Sequence, residues 1–177
     1  MTQRIHLFGL AAILGGVLWM IKAGMIMITG FQPPLIFELG QFFFTVGLVG
    51  LYERLEGRAG RLGRAGLSLV LMAIASLTGL VGYSLWPGAE LPTEEAFVFP
   101  VSLFYLAAAA GAFGGLILLG VAARRAGSIS RNRRSLPLAV GLLPIPAAIS
   151  GLLHEELPIL LLGVGWMLLG YLIWSEN

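Results

Sequence analysis

The sequence predicts an all-α fold: a polytopic membrane helix bundle of about six transmembrane helices, forming a single domain over residues 1–177. Three observations support this class. Hydrophobic residues make up 58% of the chain and charged residues only 11%, whereas a typical soluble domain is about 25% charged. Apolar runs long enough to cross a bilayer recur along the chain. The arginines are confined to the start of the chain and to short segments between these runs.

Six runs have the length of a membrane span, about 18 apolar residues or more. They cover residues 5–29, 34–52, 65–86, 98–123, 136–153 and 158–174. Prolines stand at several boundaries: Pro33 and Pro34 precede the second run and Pro158 opens the sixth, where a missing amide hydrogen is tolerated. We interpret the first run as a retained helix, because it lacks the small-residue cleavage site of a signal peptide.

The orientation follows from the arginines, because cytoplasmic loops retain positive charge. One precedes the first run, four lie between the second and third, and five lie between the fourth and fifth. They are Arg4, Arg54, Arg58, Arg61, Arg64, Arg124, Arg125, Arg131, Arg133 and Arg134. With six spans, all ten fall on one side, so both termini are predicted to be cytoplasmic. The other side receives Glu90, Glu94, Glu95, Glu155 and Glu156.

This pattern predicts a multi-pass protein of the cell (inner or plasma) membrane, and the bias towards Ala, Gly, Leu and Arg is typical of a GC-rich prokaryote. Three spans on each side of the glutamate-rich loop would place the two halves in inverted orientation, an arrangement that recurs in transporters. Sequence support for such a repeat is limited to a weak similarity between residues 7–12 and 103–108.

Lys22 and Glu38 are the ionisable residues that lie well inside the predicted spans. A lone charge there costs several kcal/mol, so such residues usually pair or face a cavity. At about 1.5 Å per residue, Lys22 lies roughly 10 Å and Glu38 roughly 6 Å from the outer helix ends. Because a lysine side chain can extend towards the surface, we expect a Lys22–Glu38 ion pair. Its structural role would be to dock the first two helices.

The functional interpretation is an outward-facing polar pocket that binds a small-molecule ligand. Gln41 shares a helix face with Glu38, Tyr105 lies at a similar depth, and His154 closes the fifth span on the same side. These three residues, with Lys22 and Glu38, form the predicted ligand-binding set. Pro144 and Pro146 lie within the fifth span, and broken helices at membrane depth often border a cavity.

Other patterns have a structural and a functional interpretation. Trp19 and Trp166 fall near mid-membrane, where they either pack between helices or line a cavity. Gly111 and Gly115 form a G-x-x-x-G motif that allows close helix approach, either within the chain or to a second copy in a homo-oligomer. The arginine-rich loops could bind anionic lipid headgroups. The nearest match to a phosphate-binding loop is 57–63, which we interpret as a cytoplasmic turn.

Several chemistries have little support. The chain has no Cys, so thiolate sites and cysteine nucleophiles are excluded. The loop glutamates with His154 could gather a divalent cation, but their spacing matches no metal motif, and we predict no metal, no cofactor and no catalytic residue. Topology explains the arginines, so we predict no nucleic-acid partner. Membrane lipids are the expected surroundings.

Three functional classes remain. The favoured one is a small membrane protein that binds or transports a small or amphipathic solute through the pocket around Lys22 and Glu38. The alternative is a non-catalytic accessory subunit whose partner is another membrane protein. The third is an intramembrane enzyme using Glu38 or His154 as general acid or base; enzymes need several groups in fixed geometry, and the sequence offers few.

Overall fold

A computed structural model describes residues 2–33, 35–55, 57–86, 101–127 and 129–175. Within these ranges the chain forms seven helices. They are α1 (Thr2–Thr29), α2 (Ile36–Glu53), α3 (Gly60–Ser84), α4 (Val101–Ala126), α5 (Leu136–Leu142), α6 (Pro144–Ser150) and α7 (Leu157–Ser175). The predicted all-helical class is confirmed. The glutamate-rich loop with Glu90, Glu94 and Glu95 lies outside the described residues.

Five of these helices are long and apolar enough to cross a membrane: α1, α2, α3, α4 and α7. Their positions agree with five of the six predicted spans, although α3 begins at Gly60 rather than at residue 65. This is the composition and length expected of a protein embedded in lipid.

The predicted fifth span, 136–153, is not one continuous helix. It is divided into two helices of seven residues each, which meet at Leu143. Pro144 begins the second piece and Pro146 follows two residues later. Because proline has no amide hydrogen and its ring crowds the preceding turn, two prolines this close interrupt the hydrogen-bond ladder of the helix. At 1.5 Å per residue, residues 136–150 extend over about 22 Å, less than the roughly 30 Å hydrocarbon core.

Small residues bring α3 and α4 together. A β-carbon added at Gly111 would lie 2.5 Å from the Leu69 carbonyl oxygen, and one at Gly115 would lie 2.9 Å from that of Gly66. Only a residue without a side chain allows the two backbones to approach this closely. The G-x-x-x-G motif therefore joins α4 to its neighbour within the chain.

Larger side chains fill the region between α1, α2 and α7. Phe44 and Leu48 of α2 and Trp166 and Leu169 of α7 are fully buried, together with Ala12 of α1. The same core continues into α3 and α4, where Val70, Leu116 and Leu119 are also fully buried.

The two ends of the bundle differ in charge. The start of α1 and the end of α7 lie together at one end of the bundle, because the ring centroids of His6 and Trp174 are 6.3 Å apart. Arg133 also donates a hydrogen bond to the Ser175 hydroxyl there, at 3.3 Å. We call this the arginine end. At the opposite end, α1 finishes beside the turn that holds His154, and we call it the His154 end.

Candidate functional site

Two adjacent residues of α2 contact two different helices. The indole of Trp19 on α1 stacks on the Phe37 ring, with centroids 4.4 Å apart, and its Nε1 donates a hydrogen bond to the Phe37 carbonyl at 3.0 Å. The Tyr105 hydroxyl on α4 donates to Glu38 Oε1 at 2.5 Å. Successive helix residues project about 100° apart, so Phe37 faces α1 while Glu38 faces α4.

The Glu38–Tyr105 bond joins α2 to α4 through a side-chain carboxylate. Both residues are partly buried, and hydrogen bonds to an ionised carboxylate are short and strong. The sequence placed Tyr105 at the depth of Glu38, and the contact confirms that estimate. The bond ties α2 to α4 at a point where few other polar groups are available.

The expected Lys22–Glu38 ion pair is not formed among the described residues. The Lys22 ammonium lies instead over the ring of Phe37, 4.9 Å from its centroid, in a cation–π contact. The predicted depth of Lys22 agrees with this contact, since Phe37 and Glu38 are neighbours. The predicted partner was wrong, because α1 packs against the Phe37 face of α2 and the Glu38 carboxylate points away from α1.

Aromatic rings continue inward from Lys22 as a column. Phe37 stacks on Trp19, the rings of Trp19 and Trp166 lie 4.1 Å apart, and Phe44 lies parallel to Trp166 with centroids 3.9 Å apart. We call Phe37, Trp19, Trp166 and Phe44 the aromatic column. It joins α1, α2 and α7 in the interior of the bundle. Of the two interpretations of the mid-membrane tryptophans, packing between helices is the one observed.

The two tryptophans differ in one respect. Trp19 Nε1 has an acceptor, the Phe37 carbonyl, whereas Trp166 Nε1 is buried and has no hydrogen-bond partner in the described residues. Buried polar groups are paired in the great majority of cases, and a buried indole N–H usually finds an acceptor. An unpaired donor at the centre of the bundle is therefore a polar position that a bound molecule or a water could satisfy.

Gln41 lies one helical turn along α2 from Phe37 and Glu38. It is only 4% exposed. Its backbone carbonyl accepts a hydrogen bond from the hydroxyl of the fully buried Thr45 at 2.7 Å. Gly40 beside it makes room for the aromatic column, because a β-carbon at this position would overlap the Trp19 ring. The buried polar stretch of α2 thus runs alongside the aromatic column.

His154 lies apart from these residues. It is exposed and lines an open cavity of about 400 Å³ with Ile26, Met27, Glu155 and Glu156. Its Nδ1 accepts a hydrogen bond from the Glu156 amide at 3.4 Å. Ile26 follows Lys22 by one turn of α1, so the cavity opens at the His154 end, above the level of Lys22.

The structure therefore divides the predicted ligand-binding set. Glu38 and Tyr105 are in direct contact, Lys22 adjoins them through Phe37, and Gln41 follows on the same helix, while His154 belongs to the cavity at the helix ends. Sequence reasoning missed Phe37, Phe44 and Thr45. Phe37 and Thr45 lie four residues from Gln41 and Phe44 lies three residues from it, a spacing typical of one helix face, and Thr45 also lies seven residues from Glu38. An apolar phenylalanine inside a span, however, carries no polar signal.

Comparison with protein-family models, with curated proteins and with solved structures finds no match to this chain. The site has to be judged from its own geometry.

That geometry does not provide an obvious metal centre. In the described part of the chain, no group of three or more His, Cys, Asp or Glu residues is arranged to hold a metal ion. Glu90, Glu94 and Glu95, which the sequence suggested as further ligands, are not among those residues. What the site offers is a carboxylate, a hydroxyl, a cation and an unpaired indole N–H around stacked aromatic rings.

Proposed function

We propose that this protein binds, and moves across the membrane, a small amphipathic solute at the polar site formed by Glu38, Tyr105 and Gln41 beside the aromatic column. The observation that carries the proposal is the Glu38–Tyr105 pair within a bundle of apolar helices. Ionisable residues at this depth are costly and usually mark a ligand or ion pathway.

The aromatic column gives the apolar half of such a site. Ligand sites are typically lined by aromatic and aliphatic side chains, with a few polar groups that fix orientation. Here Phe37, which stacks on Trp19, directly precedes Glu38 in α2, and Trp166 Nε1 offers an unused donor. We assign the cavity at the His154 end, one turn beyond Lys22, as the entrance for the solute.

The charges favour an organic cation as the solute. Glu38 provides a negative group, and the face of Phe37 already holds one cation, the Lys22 ammonium. A ligand ammonium or phosphonium could replace Lys22 over this ring, because aromatic faces also bind organic cations such as quaternary ammonium groups.

Equilibrium binding of tetraphenylphosphonium to the purified protein in detergent tests the proposal, with decanoate as the oppositely charged probe. We expect Glu38→Gln to weaken tetraphenylphosphonium binding at least tenfold while the protein still elutes as one folded species. The matched control is Glu53→Gln, which changes a carboxylate at the other end of the same helix and should leave binding unchanged. Equal affinity in both variants would refute a role for Glu38.

The accessory-subunit alternative makes a different prediction. If the wild-type chain binds neither probe, and purification in mild detergent recovers a second membrane protein in fixed proportion, that alternative replaces the solute-binding proposal.

The membrane topology belongs to the same proposal. We infer six crossings with both termini cytoplasmic, in which α5 and α6 together form the fifth, and a three-plus-three inverted arrangement of the halves. The separation of charge supports it, since the arginine end would lie in the cytoplasm. The chain has no Cys, so single Arg131→Cys and His154→Cys variants can be labelled in intact cells. An impermeant maleimide should label only position 154; labelling of position 131 would invert the topology.

A further inference from the structure

A second cavity lies at the arginine end, far from the polar site. It has a volume of about 250 Å³ and is bordered by the start of α3 and the end of α4. Arg58 in the turn before α3 and Arg61 in its first turn line one side, and Arg125 of α4 lines the other, over Ala59 and Ala122. These two alanines are 7% and 2% exposed, so they form an apolar floor beneath three exposed guanidinium groups.

The charge of this cavity is of one sign. Three arginines and no acidic residue are found among its described lining residues. Arg124, the neighbour of Arg125 in the last turn of α4, offsets the partial negative charge of that helix end. Three like charges from two segments of the chain border one cavity, which gives it a positive potential that favours an anion between them.

The local backbone adds hydrogen-bond donors. The residue before α3 is Ala59, and no side chain caps this helix, although Ser, Thr, Asp and Asn are preferred there. The first amides of a helix have no partner within it. Gly60 has φ +59°, and no atom lies within 4 Å of the place where its β-carbon would be. The space on the β-carbon side of Gly60 is therefore open.

We propose that this cavity binds a phosphate group, supplied either by an anionic lipid headgroup or by a free phosphate ester. Guanidinium groups match phosphate oxygens with paired hydrogen bonds, and a helix start adds backbone donors of the correct polarity. The volume is smaller than that of a typical drug-sized site and suits a headgroup. Residues 57–63, interpreted from the sequence as a cytoplasmic turn, thus bind phosphate together with Arg125 of α4.

Thermal unfolding of the full chain in detergent tests this site. The lipid probe is phosphatidylglycerol, and zwitterionic phosphatidylcholine is its reference. The soluble probe is inorganic phosphate, added in a sulfate-free buffer. The double variant Arg61→Gln/Arg125→Gln removes two lining charges. The matched control Arg124→Gln/Arg131→Gln removes two exposed charges at the same end that do not line the cavity.

We expect phosphatidylglycerol, but not phosphatidylcholine, to raise the melting temperature of the wild-type protein. The lining variant should bind the anion roughly 30-fold more weakly, and the control less than about threefold, because screened surface charges act weakly at a distance. A shift with inorganic phosphate alone identifies a free phosphate ester as ligand; a shift with lipid alone identifies the headgroup. Equal losses in the two double variants would overturn the proposal, since general electrostatics would then explain the binding.

Discussion

The α3–α4 interface and the centre where α1, α2 and α7 meet share close backbone contacts but are filled differently. In the first, Gly111 and Gly115 bring two backbones into contact. In the second, glycines also allow close approach, since a β-carbon at Gly15 would lie 2.5 Å from the Gly40 carbonyl oxygen. Stacked aromatic rings fill the space between these helices, and the Trp166 N–H among them has no hydrogen-bond partner in the described residues. We infer a division of roles: glycine contacts hold the helices together in both regions, while the aromatic centre also retains a polar group that stability alone does not require.

The largest expected effect is on the α3–α4 interface. Gly111→Ala/Gly115→Ala should destabilise the protein by about 4 kcal/mol, because each added methyl group would overlap backbone atoms of α3 that cannot move aside. Unfolding by SDS in mixed micelles measures the change. Gly114→Ala is the control: its β-carbon would lie 3.4 Å from Leu69 Cδ1, an ordinary contact. If both variants are equally stable, the interface does not depend on close approach.

A smaller loss is expected at the Glu38–Tyr105 pair. Tyr105→Phe removes the hydroxyl that donates to the carboxylate and should cost about 1.5 kcal/mol in the same unfolding assay, since hydrogen bonds to charged groups exceed neutral ones. It should also weaken tetraphenylphosphonium binding. Tyr83→Phe, on α3, is the matched control and should change neither quantity. A stability loss without any change in binding would make the pair purely structural.

The smallest change in stability is expected at Trp166. Trp166→Phe removes an N–H that has no partner in the described structure, and relief of that unpaired donor should offset the lost ring contacts to within about 1 kcal/mol. Probe binding should nevertheless fall if the N–H serves a ligand. Trp19→Phe is the contrasting variant, because it breaks the bond to the Phe37 carbonyl and should be less stable. Unchanged binding in Trp166→Phe would remove this donor from the site.

Much of this structure could be predicted from the sequence. Span-length apolar runs gave five of the long helices within a few residues, and counting residues along the helices placed Lys22, Glu38 and Tyr105 at one level. The prolines at positions 144 and 146 indicated an irregular fifth segment, although the chain divides there into two short helices rather than one kinked one. Depth and length are sums over residues, so sequence alone determines them.

Only the tertiary structure decided which groups meet. Lys22 contacts Phe37 and not the next residue, Glu38, because the rotation of α2 against α1 and α4 depends on packing at Gly40, Phe44 and other contacts along the helix. The same packing leaves Trp166 Nε1 buried without an acceptor while Trp19 finds one. Apolar helices in lipid have no polar face to set their rotation, so side-chain fit between neighbouring helices sets it.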